Sequence, residues 1–137
     1  MKKYLLLLTV LILSGCSQNE NSKEINIYSQ RHYDVDEIQY QNFEKKTGIK
    51  VNVIKANADE LIQRMKNEGE DSPADLFITV DVGKLWQASD MGLLQKFEDE
   101  SITKNISPEL LDKKGYWIPV TYRSRVVVYS KDRVKKE

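Results

Sequence analysis

The sequence predicts an α/β lobe, a mainly parallel sheet flanked by helices, on three observations. Short runs rich in β-branched residues recur at positions 25–29, 49–54 and 75–79. Each is followed by a stretch whose apolar residues fall at helical spacing. A βαβαβα order joins successive strands through helices, which calls for parallel pairing with right-handed crossovers. At 137 residues, 40% hydrophobic and 31% charged, the chain can bury one modest core and has a soluble globular composition.

The first element precedes the fold. Lys2 and Lys3 stand before an apolar run at residues 5–13, broken by Thr9, and Leu13-Ser14-Gly15-Cys16 follows. A basic start and a short apolar core form an export signal. The run is too short to span a bilayer, which takes about 20 apolar residues. Leu-Ser-Gly-Cys resembles a bacterial lipobox, whose cysteine is acylated and becomes the new N-terminus. The alternative is an ordinary signal peptide with an incidental cysteine. The expectation is a lipoprotein signal peptide at residues 1–16, lipidation at Cys16 and a polar, flexible tether at 17–24. Cys16 is the one cysteine of the chain. Its use as an anchor leaves no disulfide, thiol nucleophile or thiolate metal site.

The remaining elements follow in order. Residues 34–47 predict a helix with Asp34 as N-cap, Glu37 three residues on as in a capping box, and Gly48 at its end. Val35, Ile38 and Phe43 supply its apolar stripe. Residues 58–68 predict a second helix with Leu61, Ile62 and Met65 inward and Gly69 at its end. A turn at Ser72-Pro73 leads to the third strand. Residues 83–89 predict a third helix closed near Gly92. Residues 102–115 are less regular, with Pro108 opening a short helix. Two further strands are predicted at 117–122 and 125–129. The lobe is expected over 25–122, with 123–137 as a crossover strand leaving it.

Charge and residue inventory exclude some functions. Basic and acidic residues balance at 21 each, which argues against a nucleic-acid surface. One histidine and no spare cysteine leave no nucleophile–base constellation, so no enzyme is expected. Gly83-Lys84 lacks the hydroxyl residue and earlier glycine of a phosphate loop. Asp75 and Asp81 could be drawn as paired carboxylates, but Asp75 falls at the start of a strand and Asp81 in a loop.

Ligands of open α/β sheets bind beyond the carboxyl ends of the strands. Two loops stand there: Ser29-Gln30-Arg31-His32-Tyr33 and Thr79-Val80-Asp81-Val82-Gly83. The first sets a cation, an imidazole and a phenol in a row before a helix N-terminus, where anions are favoured. Taken singly, His32 reads as a solvated loop residue and Tyr33 as a rim residue.

The wider context is more specific. Ile27-Tyr28-Ser29-Gln30-Arg31-His32-Tyr33 and Phe43-Glu44-Lys45-Lys46-Thr47-Gly48-Ile49-Lys50-Val51 resemble the opening of the ferric-iron-binding solute-binding proteins of bacterial ABC transporters. Further likeness lies in Ser72-Pro73-Ala74-Asp75, Ala88-Ser89-Asp90-Met91-Gly92-Leu93-Leu94, Trp117-Ile118-Pro119 and Arg123-Ser124-Arg125-Val126-Val127-Val128-Tyr129. The Thr-Gly-Ile-Lys-Val segment is general to such binding proteins, whereas Ser-x-Arg-His-Tyr is the iron-specific part.

The resemblance implies His32 and Tyr33 as metal ligands, and Arg31 and Arg123 beside a synergistic anion such as carbonate. It implies capture of Fe(3+) and delivery to an ABC transporter permease, by an exported monomer lipid-anchored to the membrane and facing the periplasm or cell exterior. Ferric iron is a hard acid that favours oxygen donors such as phenolate, and its binding competes with protons. The family folds as two lobes and takes further tyrosines from the second. This chain then corresponds to the N-terminal part, with the second lobe missing from it; Tyr122 and Tyr129 do not match those positions. Two alternatives keep the fold: a binding protein for a polyamine or small oxyanion, and a non-functional truncated remnant. A polyamine site calls for carboxylates and aromatics, whereas this loop carries a cation and a metal-type pair.

Overall fold

The computed structural model describes residues 23–134. The expected export signal, Cys16 and all but the end of the expected tether lie outside the described residues, as do 135–137. The chain divides into two compact units, Met1–Val82 and Gly83–Glu137.

In the first unit, strand β1 (Glu24–Ser29) lies between β2 (Lys50–Lys55) and β3 (Leu76–Ile78), and both pairings are parallel. Tyr28 stands beside Ile54 on one side and Phe77 on the other. Ile27, Tyr28 and Ser29 are all buried, at 4%, 0% and 1% exposure. Successive strand residues point to opposite faces, so burial of all three means that both faces are covered.

Helix α1 (Asp34–Thr47) packs on β2, and α2 (Ala58–Glu68) packs on β1. The Tyr28 hydroxyl reaches Glu68 of α2, and on the opposite face Ser29 lies near Tyr40 of α1. The arrangement is helix, sheet, helix.

The third strand is shorter than predicted because Asp75 replaces a ladder step with its side chain. Its Oδ2 accepts the Asn26 N–H at 2.7 Å, and its own N–H donates to the Asn26 carbonyl at 2.9 Å.

Helix α2 follows its sequence signals. Asn57 caps it by accepting the Glu60 N–H at 2.9 Å. Ala58, Leu61, Ile62 and Met65 are buried at the spacing of one helical face.

Helix α1 departs from expectation in two ways. Asp34 is its first helical residue, not its cap; Tyr33 holds the N-cap position in extended conformation without a side-chain cap bond. Asp34, Asp36 and Glu37 all lie in the first turn, where the helix dipole favours acidic groups. Glu37 forms no capping box and pairs with Lys55 of β2. The apolar stripe also fails: Val35, Ile38 and Phe43 stay 53%, 55% and 40% exposed, and no residue of α1 is buried.

Polar contacts set the rotation of α1 instead. Asp36, Tyr40 and Glu44 repeat every four residues and are half-buried; Asp36 accepts from Arg31, Glu44 accepts the Val51 N–H, and Tyr40 lies near Ser29. Gly48 ends the helix at φ 72°, a left-handed conformation suited to glycine, and donates to the Glu44 carbonyl at 2.8 Å.

The second unit holds α3 (Val82–Asp90), which begins one residue before the boundary, and α4 (Glu100–Thr103). Ala88 is buried, and the Leu93 N–H closes α3 onto the Ala88 carbonyl at 3.0 Å. Asp99 caps α4 through the Ser101 N–H at 2.8 Å. A 3₁₀ turn at Pro108–Leu110 forms where the proline predicts it.

The two strands predicted at 117–122 and 125–129 are absent; among the described residues the sheet has three strands. Strand propensity alone does not make a strand without a neighbour to complete the ladder. Val120, Val126, Val127 and Val128 are accordingly 75–96% exposed.

Candidate functional site

The site lies at the carboxyl end of β1, where the chain leaves the sheet for α1. Ser29 is buried there and its Oγ accepts the Arg31 N–H at 3.1 Å, turning the chain outward. Gln30 joins the two loops singled out from the sequence. Its N–H donates to the Ile78 carbonyl at 2.8 Å, and its Oε1 accepts from the Thr79 hydroxyl at 2.5 Å and the Val80 N–H at 3.3 Å.

Arg31 then turns back along α1. Its Nε and one terminal nitrogen donate to the two oxygens of Asp36, both at 2.8 Å. This two-pronged pair is the strong geometry for arginine with carboxylate. The Asp36 bond raises the Arg31 pKa and the Arg31 bond lowers that of Asp36. The guanidinium carbon also sits 5.0 Å from the centre of the Tyr33 ring, within cation–π range. Tyr33 is 52% exposed, and His32 is exposed. The Asp36 N–H donates to the Tyr33 carbonyl at 3.0 Å, so Asp36 grips both ends of this loop.

Burial raises the Tyr40 pKa, and the nearby Asp36 carboxylate adds to that rise. The phenol of Tyr40 is therefore held neutral beside the half-buried pair.

The structure thus brings Arg31, His32 and Tyr33 together on one loop. Arg123 belongs to the second unit, in an exposed segment without regular structure. Cys16 lies outside the described residues. No cluster of three or more histidine, cysteine or acidic side chains suited to a metal occurs among the described residues. Gln30 and Asp36 were missed as site residues in the sequence. Gln30 carried no signal beyond its place in the loop, and Asp36 lies five residues from Arg31, a spacing that belongs to no regular element. No helix among the described residues is long and apolar enough to cross a membrane.

A parallel sheet with helices on both faces, presenting a polar loop at its carboxyl edge, is the architecture of a solute-binding lobe. The chain belongs to the bacterial extracellular solute-binding protein family, whose model matches residues 39–137. Among curated relatives, iron uptake protein A1 of Synechocystis sp. is 42% identical over 92% of this chain. The major ferric iron-binding protein of Neisseria gonorrhoeae is 31% identical over 83%. The chain spans 38% and 35% of their lengths, respectively.

Solved structures agree. The Mannheimia haemolytica ferric iron-binding protein A, in an open conformation, matches at TM-score 0.74 and 43% identity over 82% of this chain and 35% of its own. The Trichodesmium protein solved with iron and citrate matches at TM-score 0.67 and 46% identity, over 69% of this chain and 30% of its own. These relatives are described as iron-binding or iron-uptake proteins, and one, from Serratia marcescens, as periplasmic.

Proposed function

We propose that this chain captures ferric iron outside the cytoplasmic membrane and passes it to the permease of an ABC-type importer, as a binding protein and not an enzyme. The observation that carries the reading is the Arg31-His32-Tyr33 loop at the end of the central strand, with the imidazole and phenol exposed and the arginine held behind them.

Tyr33 supplies a hard phenolate oxygen and His32 an imidazole nitrogen. Ferric iron takes about six donors, mostly oxygen, so other ligands complete the shell. A small anion such as carbonate is one of them, held by the N–H groups of Arg31 that Asp36 does not take. The names of the relatives support iron as the cargo. The lipobox-like Leu13-Ser14-Gly15-Cys16 supports anchoring of a monomer to the membrane through Cys16.

The test is to add ferric nitrilotriacetate to the purified protein and record the visible phenolate-to-iron band. Tyr33→Phe should abolish this band, and His32→Ala should weaken binding and shift it. An unchanged band and affinity in the double variant would place iron elsewhere, and tight binding of spermidine or an oxyanion instead would favour another cargo.

A further inference from the structure

We propose that Asp36 is the positioning residue of the iron site, acting on Tyr33 through Arg31. The inference rests on the reading of Tyr33 as an iron ligand. Tyr33 sits on a loop, half exposed, and a loop ligand needs supporting contacts to hold its ring within a fraction of an ångström of the productive placement.

Asp36 supplies two such supports. Its N–H donates to the Tyr33 carbonyl and fixes the backbone at the N-cap. Its carboxylate holds both prongs of Arg31, whose guanidinium lies against the Tyr33 ring. Asp36 is itself fixed because it stands in the first turn of α1, and two further contacts tie that helix to the sheet: Glu37 with Lys55, and Glu44 with the Val51 N–H. A bare arginine on a loop would sample many rotamers; one clamped by a carboxylate at 2.8 Å on each prong presents a single flat face.

The same pairing sets the charge of the site. The Asp36 carboxylate offsets the Arg31 cation, so the guanidinium can lie beside the tyrosine without adding a full positive charge against an incoming ferric ion. Arg31 keeps three of its five N–H groups for an anion. The carboxylate thus orients the arginine and offsets its charge, and the arginine orients the ring.

The experiment titrates ferric nitrilotriacetate into the wild-type protein and the variants Asp36→Ala, Asp36→Glu, Arg31→Gln, the Asp36→Ala/Arg31→Gln double and Tyr33→Phe, with far-ultraviolet circular dichroism to confirm folding. Support-residue changes at metal sites cost about 10- to 100-fold in affinity. Asp36→Ala and Arg31→Gln should each lose affinity on that scale and shift the visible band. The double variant should be no worse than either single, since the two act as one unit. Asp36→Glu should recover part of the affinity and the wild-type band position. If Tyr33→Phe loses the band while Asp36→Ala keeps wild-type affinity and spectrum, the positioning role is wrong and the ligand assignment stands. If Tyr33→Phe itself keeps the band, the ligand assignment falls and the positioning role with it.

Discussion

The hydroxyl of Tyr28, on the central strand, donates to the carboxylate of Glu68, in the last turn of α2, with 2.8 and 2.9 Å to its two oxygens. The same carboxylate receives Arg64 at 2.7 Å and the Ser72 hydroxyl at 2.8 Å. Arg64 also covers the Tyr28 ring at 5.1 Å. A fully buried phenol is thus satisfied by a charged partner. Tyr28→Phe should cost about 2 kcal/mol, the scale of a hydrogen bond to an ion. Glu68→Ala should cost about 1 kcal/mol more, because it strands the buried hydroxyl. Urea unfolding checks the order, and a milder Glu68→Ala would refute the account.

Stability should fall in acid through these pairs. Burial would raise the Glu68 pKa, but Arg64, Ser72 and Tyr28 outweigh it and hold it below the ordinary carboxylate value. Arg31 does the same for Asp36. A carboxyl whose pKa is lower folded than unfolded stabilises the fold above the unfolded value, and that contribution is lost as pH falls through the folded one. The loss should begin below about pH 5. Denaturant midpoints at pH 7 and at pH 3 should separate more in the wild type than in Glu68→Gln.

The alkaline side carries the opposite sign. Burial, then the Glu68 hydrogen bond, raises the Tyr28 pKa. Its stabilising contribution is complete below the unfolded value of about 10 and is lost as pH rises through the folded one. Tyr28→Phe should therefore flatten the alkaline limb of a melting-temperature profile, which differential scanning calorimetry reads directly.

Helices α1 and α2 should respond unequally to alanine. Leu61 is 1% exposed, and Leu61→Ala should cost about 3 kcal/mol. Ile38 is 55% exposed, and Ile38→Ala should stay within about 0.5 kcal/mol. Equal losses in chemical denaturation would mean that α1 buries an apolar face after all.

The anchor is open to a fractionation test. Cys16→Ser should move the protein from the membrane pellet to the soluble exported fraction. A wild-type protein that is soluble and carries no lipid would remove the lipobox reading.

Much of the first unit was legible from local signals. The helical spacing of Leu61, Ile62 and Met65, Gly48 and Gly69 after helices, and the β-branched runs of β1 and β2 each fix an element by chemistry within a few residues. What was not legible depended on partners distant in the chain. The rotation of α1 is set by Arg31, Lys55 and Val51, so the apolar Val35, Ile38 and Phe43 misled. The valines at 126–128 have strand propensity but no ladder neighbour among the described residues. At the site, the Arg31-His32-Tyr33 row could be read directly, while Gln30 and Asp36 acquire their roles only when β3 and α1 come alongside.

Strand β1 is flanked on both sides, and its continuation, the Gln30 amide, is bonded to the Ile78 carbonyl. Where both ladders flank it, at Ile27–Ser29, no amide of the inner strand can meet solvent deuterium until a neighbouring ladder has come apart, which for a three-stranded sheet approaches opening of the whole unit. The candidate donors therefore hang from the slowest-exchanging stretch of backbone, two and three residues past its last protected amide. Exposed side chains such as His32 reorient on the order of nanoseconds, against a strand that opens only with the unit itself. Loading and release of a cargo can then cycle many times over a frame that stays closed throughout.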